Sequence, residues 1–542
     1  MKKILVDLLL DNFAKAEDKL YQIDRLNAVI KYASLFKSLN LNQEVVALFS
    51  VDKKIQEAFQ IACFLQGINY IVIDRIDIDS FVVVNLNAKV VLYDSSDLEF
   101  TPTELFEYTS INLLVDARTC KIIGSYEITP AELLAIDANI RKANSITDLR
   151  LFVLESFKKE LVKGHVRNMI YVQHPGISTF GSKISIFHSE AFENGAVKVL
   201  DTLYHEIKSK NLLSKNQQIS ILSLETPAIP YVFLNSVFLA LISKGTVKYN
   251  DSIKQSEYLE INILFGSVDS LHFIFTQIIE ESSILSYLSP NNFLFRLVFR
   301  HMFNKKFKNL KLIMFYGKTS KYFRRLLNYT GKSSIYMYTL IEVTSFVSFE
   351  TYKKLPVKEL PTVGIIPNGV ILNAINPTKE SEVLLDVADS YTNYTNIEFT
   401  NLCRMSEKFP GTHATLDIAK NVNGKLQIIG KADEILHNEH SLSIQTDLIN
   451  SIALDNRYVK DTFVTTYSGR LILFVEIKLS VLLWLEKTIE DVKTELNTVL
   501  LPKINKKVQP FSRVHKIIVL PEGFERGNNK HIKHIKYMLG SH

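Results

Sequence analysis

Residues Ala414–Ile435 read ATLDIAKNVNGKLQIIGKADEI. The part from Asn423 onward reads as strand, turn and strand. Asp417 stands ahead of the turn, and Gly430-Lys431-Ala432-Asp433 stands at the end of the second strand. Beyond it the texture changes. A helix is expected over Asp447–Ala453, strands over Thr462–Thr466 and Arg470–Ile477, a helix over Leu485–Leu500 and a strand over Lys516–Leu520. That mixture suits a separate small α+β unit. The boundary is therefore expected near Lys431, giving domains 1–430 and 431–542.

Upstream, short β-branched runs alternate with helical patterns. Strand expectations are Val45–Phe49, Tyr70–Ile73, Val82–Val84, Val90–Tyr93, Asn112–Val115, Met169–Val172, Ile219–Ser223 and Leu310–Phe315. Helices are expected over Arg25–Leu39, Glu57–Leu65, Gly195–Lys208, Val232–Ser243, Ser270–Glu281 and Asn291–Phe303. Apolar strands separated by helices imply parallel sheets covered on both faces. From Ser345 to about Thr400 the pattern turns strand-rich, as in LPTVGIIPN at Leu360–Asn368, and suggests a β subdomain. The fold class is thus α/β: a large N-terminal domain of stacked, helix-covered sheets with a β subdomain, then a small α+β C-terminal domain.

The bulk numbers agree with a multidomain globular chain. There are 542 residues, 47% hydrophobic and 22% charged, with a net charge of +6. The three cysteines, Cys63, Cys120 and Cys403, show neither metal spacing nor a disulfide framework. That fits a reducing, cytoplasmic setting. The apolar stretches Tyr231–Ile242 and Leu471–Leu485 are too short or too charged to span a bilayer, so no transmembrane segment is expected. MKKILVDLLLDNF at the N-terminus reads as an amphipathic helix, not a signal peptide. Positive charge is not clustered along the sequence and no nucleic-acid motif occurs, so nucleic acid is not an expected partner.

In order and spacing, the chain resembles the adenylate-forming ligase superfamily, which includes the acyl-CoA synthetases. Asp417 occupies the position of the family's ribose-binding aspartate, Asn423-Gly424 the turn, and Gly430-Lys431-Ala432-Asp433 the interdomain hinge. Lysine replaces the hinge arginine, and Leu416 replaces a glycine. Val459–Val464 with Gly469–Ile477 looks like the central strand pair of the family's lid, so the resemblance implies that the small α+β C-terminal domain is a lid. Arg526–Lys533 (RGNNKHIK) is similar to the terminal motif, placing Lys530 at the catalytic lysine position with Lys533 as a second candidate. Tyr338–Glu342 (YTLIE) resembles the Tyr-Gly-x-Thr-Glu motif, with Thr339 and Ile341 in place of glycine and threonine. Pro361–Gly369 resembles a proline- and glycine-marked turn. His174–His188 lies where the phosphate loop belongs, with Ser178, Thr179, Gly181 and Lys183 as a partial match.

The resemblance implies that a carboxylic acid reacts with ATP to give an acyl-adenylate and pyrophosphate. Two anions must meet, so charge must be neutralised and geometry fixed. Ser178, Thr179, Gly181 and Lys183 would cradle the β- and γ-phosphates. Glu342 would hold Mg²⁺, a hard cation that prefers oxygen. Tyr338 and Lys431 would join the nucleotide site. Asp417 would accept both ribose hydroxyls, and Lys530 would meet charge developing on the reacting oxygens. Lys431 and Asp433 would time lid closure. The implied acid is fatty or aryl, and CoA or a carrier-protein thiol would be the acceptor if a second half-reaction follows.

The alternative is a catalytically degenerate pseudoenzyme of the same fold acting as a binding or scaffold protein. Loss of loop glycines restricts close approach to phosphate. Arginine to lysine at Lys431 removes bidentate recognition. His437 and His440, and His531 and His534, have helical i,i+3 spacing but no third ligand, so a zinc-type site is not expected.

Overall fold

The computed structural model describes most of residues 20–524. Residues 1–19, 74–87, 95–112, 139–168, 174–182, 214–217, 250–257, 341–342, 375–380, 387–394, 399–403, 408–411, 432–443 and 525–542, with a few shorter stretches, lie outside the described residues. The strand expected at Val82–Val84 and the N-terminal helix fall in those ranges. The chain divides into two compact units. The first comprises residues 1–249, 339–346 and 387–411, and the second residues 250–338, 347–386 and 412–542.

The first unit is built on a nine-stranded sheet in the order β17-β16-β7-β6-β2-β1-β3-β4-β5. Its strands are β1 (Val45–Phe49), β2 (Asn69–Ile73), β3 (Ala88–Tyr93), β4 (Leu113–Asp116), β5 (Ile122–Ser125), β6 (Met169–Gln173), β7 (Lys183–His188), β16 (Thr395–Glu398) and β17 (Arg404–Glu407). The centre is parallel, β6-β2-β1-β3-β4. Antiparallel strands close both edges. β1 is buried at every position, as expected of a strand covered on both faces. Helix α1 (Leu20–Leu39) packs on α2 (Lys53–Gln66) through edge-on aromatic contacts of Phe59 with Tyr32 and Phe36. Asp52 caps α2 through the Lys54 and Ile55 amides, and Gly67 ends it at φ 67°.

Helix α3 (Ser189–Lys198) runs on through a π turn at Val199–Tyr204. β8 (Ser220–Ser223) and β9 (Thr246–Tyr249) pair in parallel. Between them lies a helix that begins with α4 (Pro230–Val232), continues as a π segment at Phe233–Phe238 and ends at Ile242. The apolar stretch Tyr231–Ile242 is thus a core helix, its residues from Tyr231 to Leu241 all buried.

In the second unit β10 (Ile263–Ser267), β11 (Leu312–Tyr316) and β12 (Ser333–Tyr338) run parallel, and β13 (Ser348–Tyr352) joins β12 antiparallel. Their helices are α5 (Val268–Glu280), α6 (Ser283–Tyr287), α7 (Phe293–Lys306) and α8 (Lys321–Thr330). Phe275 anchors this core against Phe299, Phe303 and Phe323. A four-stranded antiparallel sheet is formed by β14 (Val370–Ala374), β15 (Ser381–Asp386), β18 (Thr412–Val422) and β19 (Lys425–Lys431). The β subdomain expected between Ser345 and about Thr400 supplies only β14 and β15 of it, because β13 pairs with β12 and β16 with β7. Asn423 and Gly424 join the last two with φ values of 54° and 79°. Those are the left-handed conformations that a two-residue hairpin turn requires.

The C-terminal part holds α9 (Thr446–Leu454), β20 (Val459–Tyr467), β21 (Arg470–Ile477), α10 (Leu479–Trp484), α11 (Ile489–Glu495) and β22 (Lys516–Leu520). β20 and β21 are antiparallel, and β22 is parallel to β21. The helix expected from Leu485 starts later. Glu486 has a φ of 52°, and Thr488 and Asp491 form a capping box at the start of α11.

Candidate functional site

Tyr338 ends β12 and Asp417 lies in β18; both side chains are buried. The Tyr338 hydroxyl donates to Asp417 Oδ2 at 2.6 Å. Thr415 shares a strand face with Asp417, two residues away. Its hydroxyl donates to the Val383 carbonyl at 2.9 Å and accepts the Asp417 amide at 3.1 Å. Thr415 Oγ1 also lies 3.5 Å from the Tyr338 hydroxyl. A buried carboxylate needs a donor such as the Tyr338 hydroxyl to be tolerated. Lys431 is the residue opposite Asp417 in the β18–β19 register. Tyr338, Asp417 and Lys431 are therefore brought together. Thr415 joins them unforeseen, although its i,i+2 spacing from Asp417 is visible in the sequence.

The turn at Pro361–Gly369 is tied to the same sheet. The Val363 amide donates to the Leu426 carbonyl at 2.7 Å, and the Leu426 amide to the Gly364 carbonyl at 2.9 Å. Gly364 has a φ of 101°, and any side chain there would strike the Phe349 carbonyl.

After Tyr338 the chain passes through Thr339, whose hydroxyl is buried and has no hydrogen-bond partner among the described residues. The following segment is pinned at three consecutive residues. Thr344 Oγ1 donates to the Ala191 carbonyl at 2.9 Å. Asn235 Nδ2 donates to the Ser345 carbonyl at 2.9 Å. Lys198 Nζ donates to the Phe346 carbonyl at 2.7 Å and sits 5.0 Å from the Phe346 ring centroid. Burial lowers the Lys198 pKa to about 8.

Lys183 opens β7, paired with Glu398. Ser178, Thr179, Gly181, Glu342, Lys530, Asp433 and Lys533 lie outside the described residues, as do His437, His440, His531 and His534. Among the described residues no group of three or more His, Cys, Asp or Glu side chains could hold a metal ion. No helix there is long and apolar enough to cross a membrane.

No protein-family model matches the chain, and no curated protein does. Solved structures do match. The anthranilate CoA ligase AuaEII in complex with anthranoyl-AMP is 11% identical, with a TM-score of 0.66 over 94% of this chain and 90% of that one. ATP-bound MatB from Rhodopseudomonas palustris is 11% identical, with a TM-score of 0.65 over 98% of both chains. The O-succinylbenzoate coenzyme A synthetase MenE from Bacillus subtilis, in complex with ATP and magnesium ion, is 12% identical, with a TM-score of 0.62 over 95% and 94%. Identities this low speak for the fold alone. The mixed α/β architecture and these near-full-length matches show that the chain has the adenylate-forming ligase fold its motif series resembles.

Proposed function

We propose that this chain activates a carboxylic acid with ATP, releasing pyrophosphate and forming an acyl-adenylate whose acyl group a thiol can then accept, with AMP leaving. The observation that carries the proposal is the hydrogen bond from Tyr338 to Asp417, with Lys431 opposite Asp417 on the next strand. Three positions from separate motifs of the series meet there.

In the proposed reaction a carboxylate oxygen of the acid attacks the α-phosphorus, the bond to the pyrophosphate oxygen breaks, and pyrophosphate leaves. Asp417 accepts the ribose hydroxyls through its two oxygens while Tyr338 steadies the carboxylate. Ser178, Thr179, Gly181 and Lys183 hold the β- and γ-phosphates. Lys530 meets charge on the α-phosphate and carboxylate oxygens. Mg²⁺ fits the oxygen chemistry at hand: Glu342 is a carboxylate, and Thr339 offers a buried hydroxyl unsatisfied among the described residues. Bound there, it would offset phosphate charge. The functional division at 430/431 belongs to the same proposal, with Lys431 and Asp433 as the pivot of the lid.

A fatty or aryl acid is the proposed substrate, with CoA or a carrier-protein thiol as acceptor and a cytoplasmic setting. Cys63 and Cys120 are free and buried, and burial pushes the Cys120 thiol up to about 12, which keeps it inert.

The test is calorimetric titration of ATP with Mg²⁺ into the intact chain and into Asp417→Ala. Saturable binding lost in the variant, followed by acid-dependent pyrophosphate exchange, is the expected result. No binding up to about millimolar ATP would overturn the reading and leave the pseudoenzyme in its place.

A further inference from the structure

Helix α7, FLFRLVFRHMFNKK, has two opposed faces. One is core: Phe295, Phe299 and Phe303 are buried, with Phe299 and Phe303 against Phe275. The other is exposed and yet apolar. Phe293 is 71% exposed, Leu294 49% and Leu297 47%; Ile284, on the adjoining helix α6, is 54% exposed. Four of the eleven large hydrophobic residues that are exposed among the described residues thus fall on one helix pair. Isolated exposed leucines need no explanation, but such a concentration does.

The charge around this ridge has one sign. α7 contains Arg296, Arg300, Lys305 and Lys306 and no acidic residue. At 100° per residue, Phe293, Leu297, the exposed His301 and Leu294 follow one another along the middle of the exposed arc, with Arg296 and Arg300 on one flank and Lys305 on the other. Lys306 pairs with Glu281 at 3.0 Å, but no ion pair of Arg296, Arg300 or Lys305 occurs among the described residues. Nearby, burial and then the charges of Lys311 and Arg300 lower the Lys332 pKa. Arg296, Arg300 and Lys305 thus stand without an ion pair among the described residues, in a stretch, residues 296–311, that carries six basic and no acidic residues in the sequence itself.

We propose that the exposed face of α7, with Ile284 beside it, docks on an anionic lipid surface. An apolar ridge flanked by basic side chains matches a bilayer boundary, where apolar groups enter the acyl zone and cations stay among the headgroups. Charge complementarity selects the anionic surface over a neutral one. The inference goes beyond the acid-activation proposal and does not depend on it, because it concerns a surface and not turnover.

The experiment is co-sedimentation of the full chain with vesicles of phosphatidylcholine alone and of phosphatidylcholine mixed with phosphatidylglycerol. Binding is expected with the mixed vesicles only, weakening as sodium chloride is raised. The double substitution Phe293→Ser, Leu297→Ser should lower partitioning by at least about tenfold. Arg296→Gln with Lys305→Gln should lower it by about fivefold per charge. Leu134→Ser, at a leucine also 71% exposed but elsewhere, should change nothing. Unchanged melting temperatures show that the variants fold. Failure of the wild-type chain to bind the mixed vesicles would overturn the proposal. So would variants that bind as well as wild type, or a loss in Leu134→Ser as large as in the double variant. Capture by polyglutamate but not by vesicles would give the face to an acidic protein and overturn the lipid assignment.

Discussion

Tyr338 and Asp417 are 79 residues apart in sequence, yet the tyrosine hydroxyl lies 2.6 Å from the aspartate carboxylate in a buried setting. One comes from the end of a strand in the parallel sheet, the other from the antiparallel β subdomain. Replacing Tyr338 with Phe removes the donor and leaves the ring. Asp417 stays anchored through its amide, which donates to Thr415, so a partial loss is expected: about 1–3 kcal/mol of stability and ATP binding several-fold weaker. Denaturant unfolding and calorimetry on Tyr338→Phe give both numbers. A variant indistinguishable from wild type in both would show the contact to be incidental.

Lys198 holds the Phe346 carbonyl from a half-buried position, with its pKa lowered to about 8 by desolvation. The unfolded chain keeps the same proton up to about pH 10.4. Between those values the unfolded state binds more protons, so stability rises with pH there. Below pH 8 both states are protonated and the cost of the buried charge is fully present. Lys198→Met removes this dependence. From about pH 8 to 10, wild type should gain stability relative to Lys198→Met, read by denaturant midpoints at matched pH. Parallel curves would mean that Lys198 titrates normally.

The Asn423-Gly424 turn is legible from sequence because its residue types match a local backbone demand, φ above zero at two adjacent positions. The core strands are legible for the same kind of reason, a short-range pattern of burial. The contact of Tyr338 with Asp417 is not, since nothing local encodes a pairing across two sheets. Thr415 escaped notice because its role is to bond the Val383 carbonyl on a neighbouring strand. The π segment at Phe233–Phe238 is equally silent, as its sequence reads like any buried helix. The start of α11 was readable in principle: Thr488 and Asp491 hold the capping spacing, and continuous apolar periodicity from Leu485 hides it.

Glu350, on β13, accepts hydrogen bonds from Lys425, Thr362 and Tyr352. Burial pushes its pKa up, but those bonds outweigh it and hold the carboxylate below its usual range. A lowered carboxylate pKa contributes stability above the unfolded value, about 4.3. That contribution is lost as pH falls through the folded pKa. Glu350→Gln should therefore be less stable than wild type at neutral pH. The gap should close below about pH 4, followed by thermal melts across the acid range. A gap that persists unchanged into acid would assign the effect to packing and not to charge.

Arg325, on α8, donates to Asp455, just beyond α9, at 2.6 Å, with side chains 12% and 21% exposed. Lys460, on β20, meets Glu280 at the end of α5 at 3.0 Å and Glu476 on β21 at 3.2 Å. The Asp455 and Glu280 contacts tie the C-terminal part to α8 and α5, whereas Lys460–Glu476 lies within its own sheet. The first pair is sheltered, so it should be worth more than an exposed one, where about 0.2–1 kcal/mol is usual. Asp455→Asn alone strands a half-buried guanidinium and should cost about 1–3 kcal/mol. Arg325→Gln with Asp455→Asn should cost less than the sum of the two single changes, a coupling of about 1 kcal/mol in a double-mutant cycle. The Lys460 contacts are more exposed and should weaken first as salt is raised. If the cycle gives no coupling, the ion pair does not hold the C-terminal segment in place.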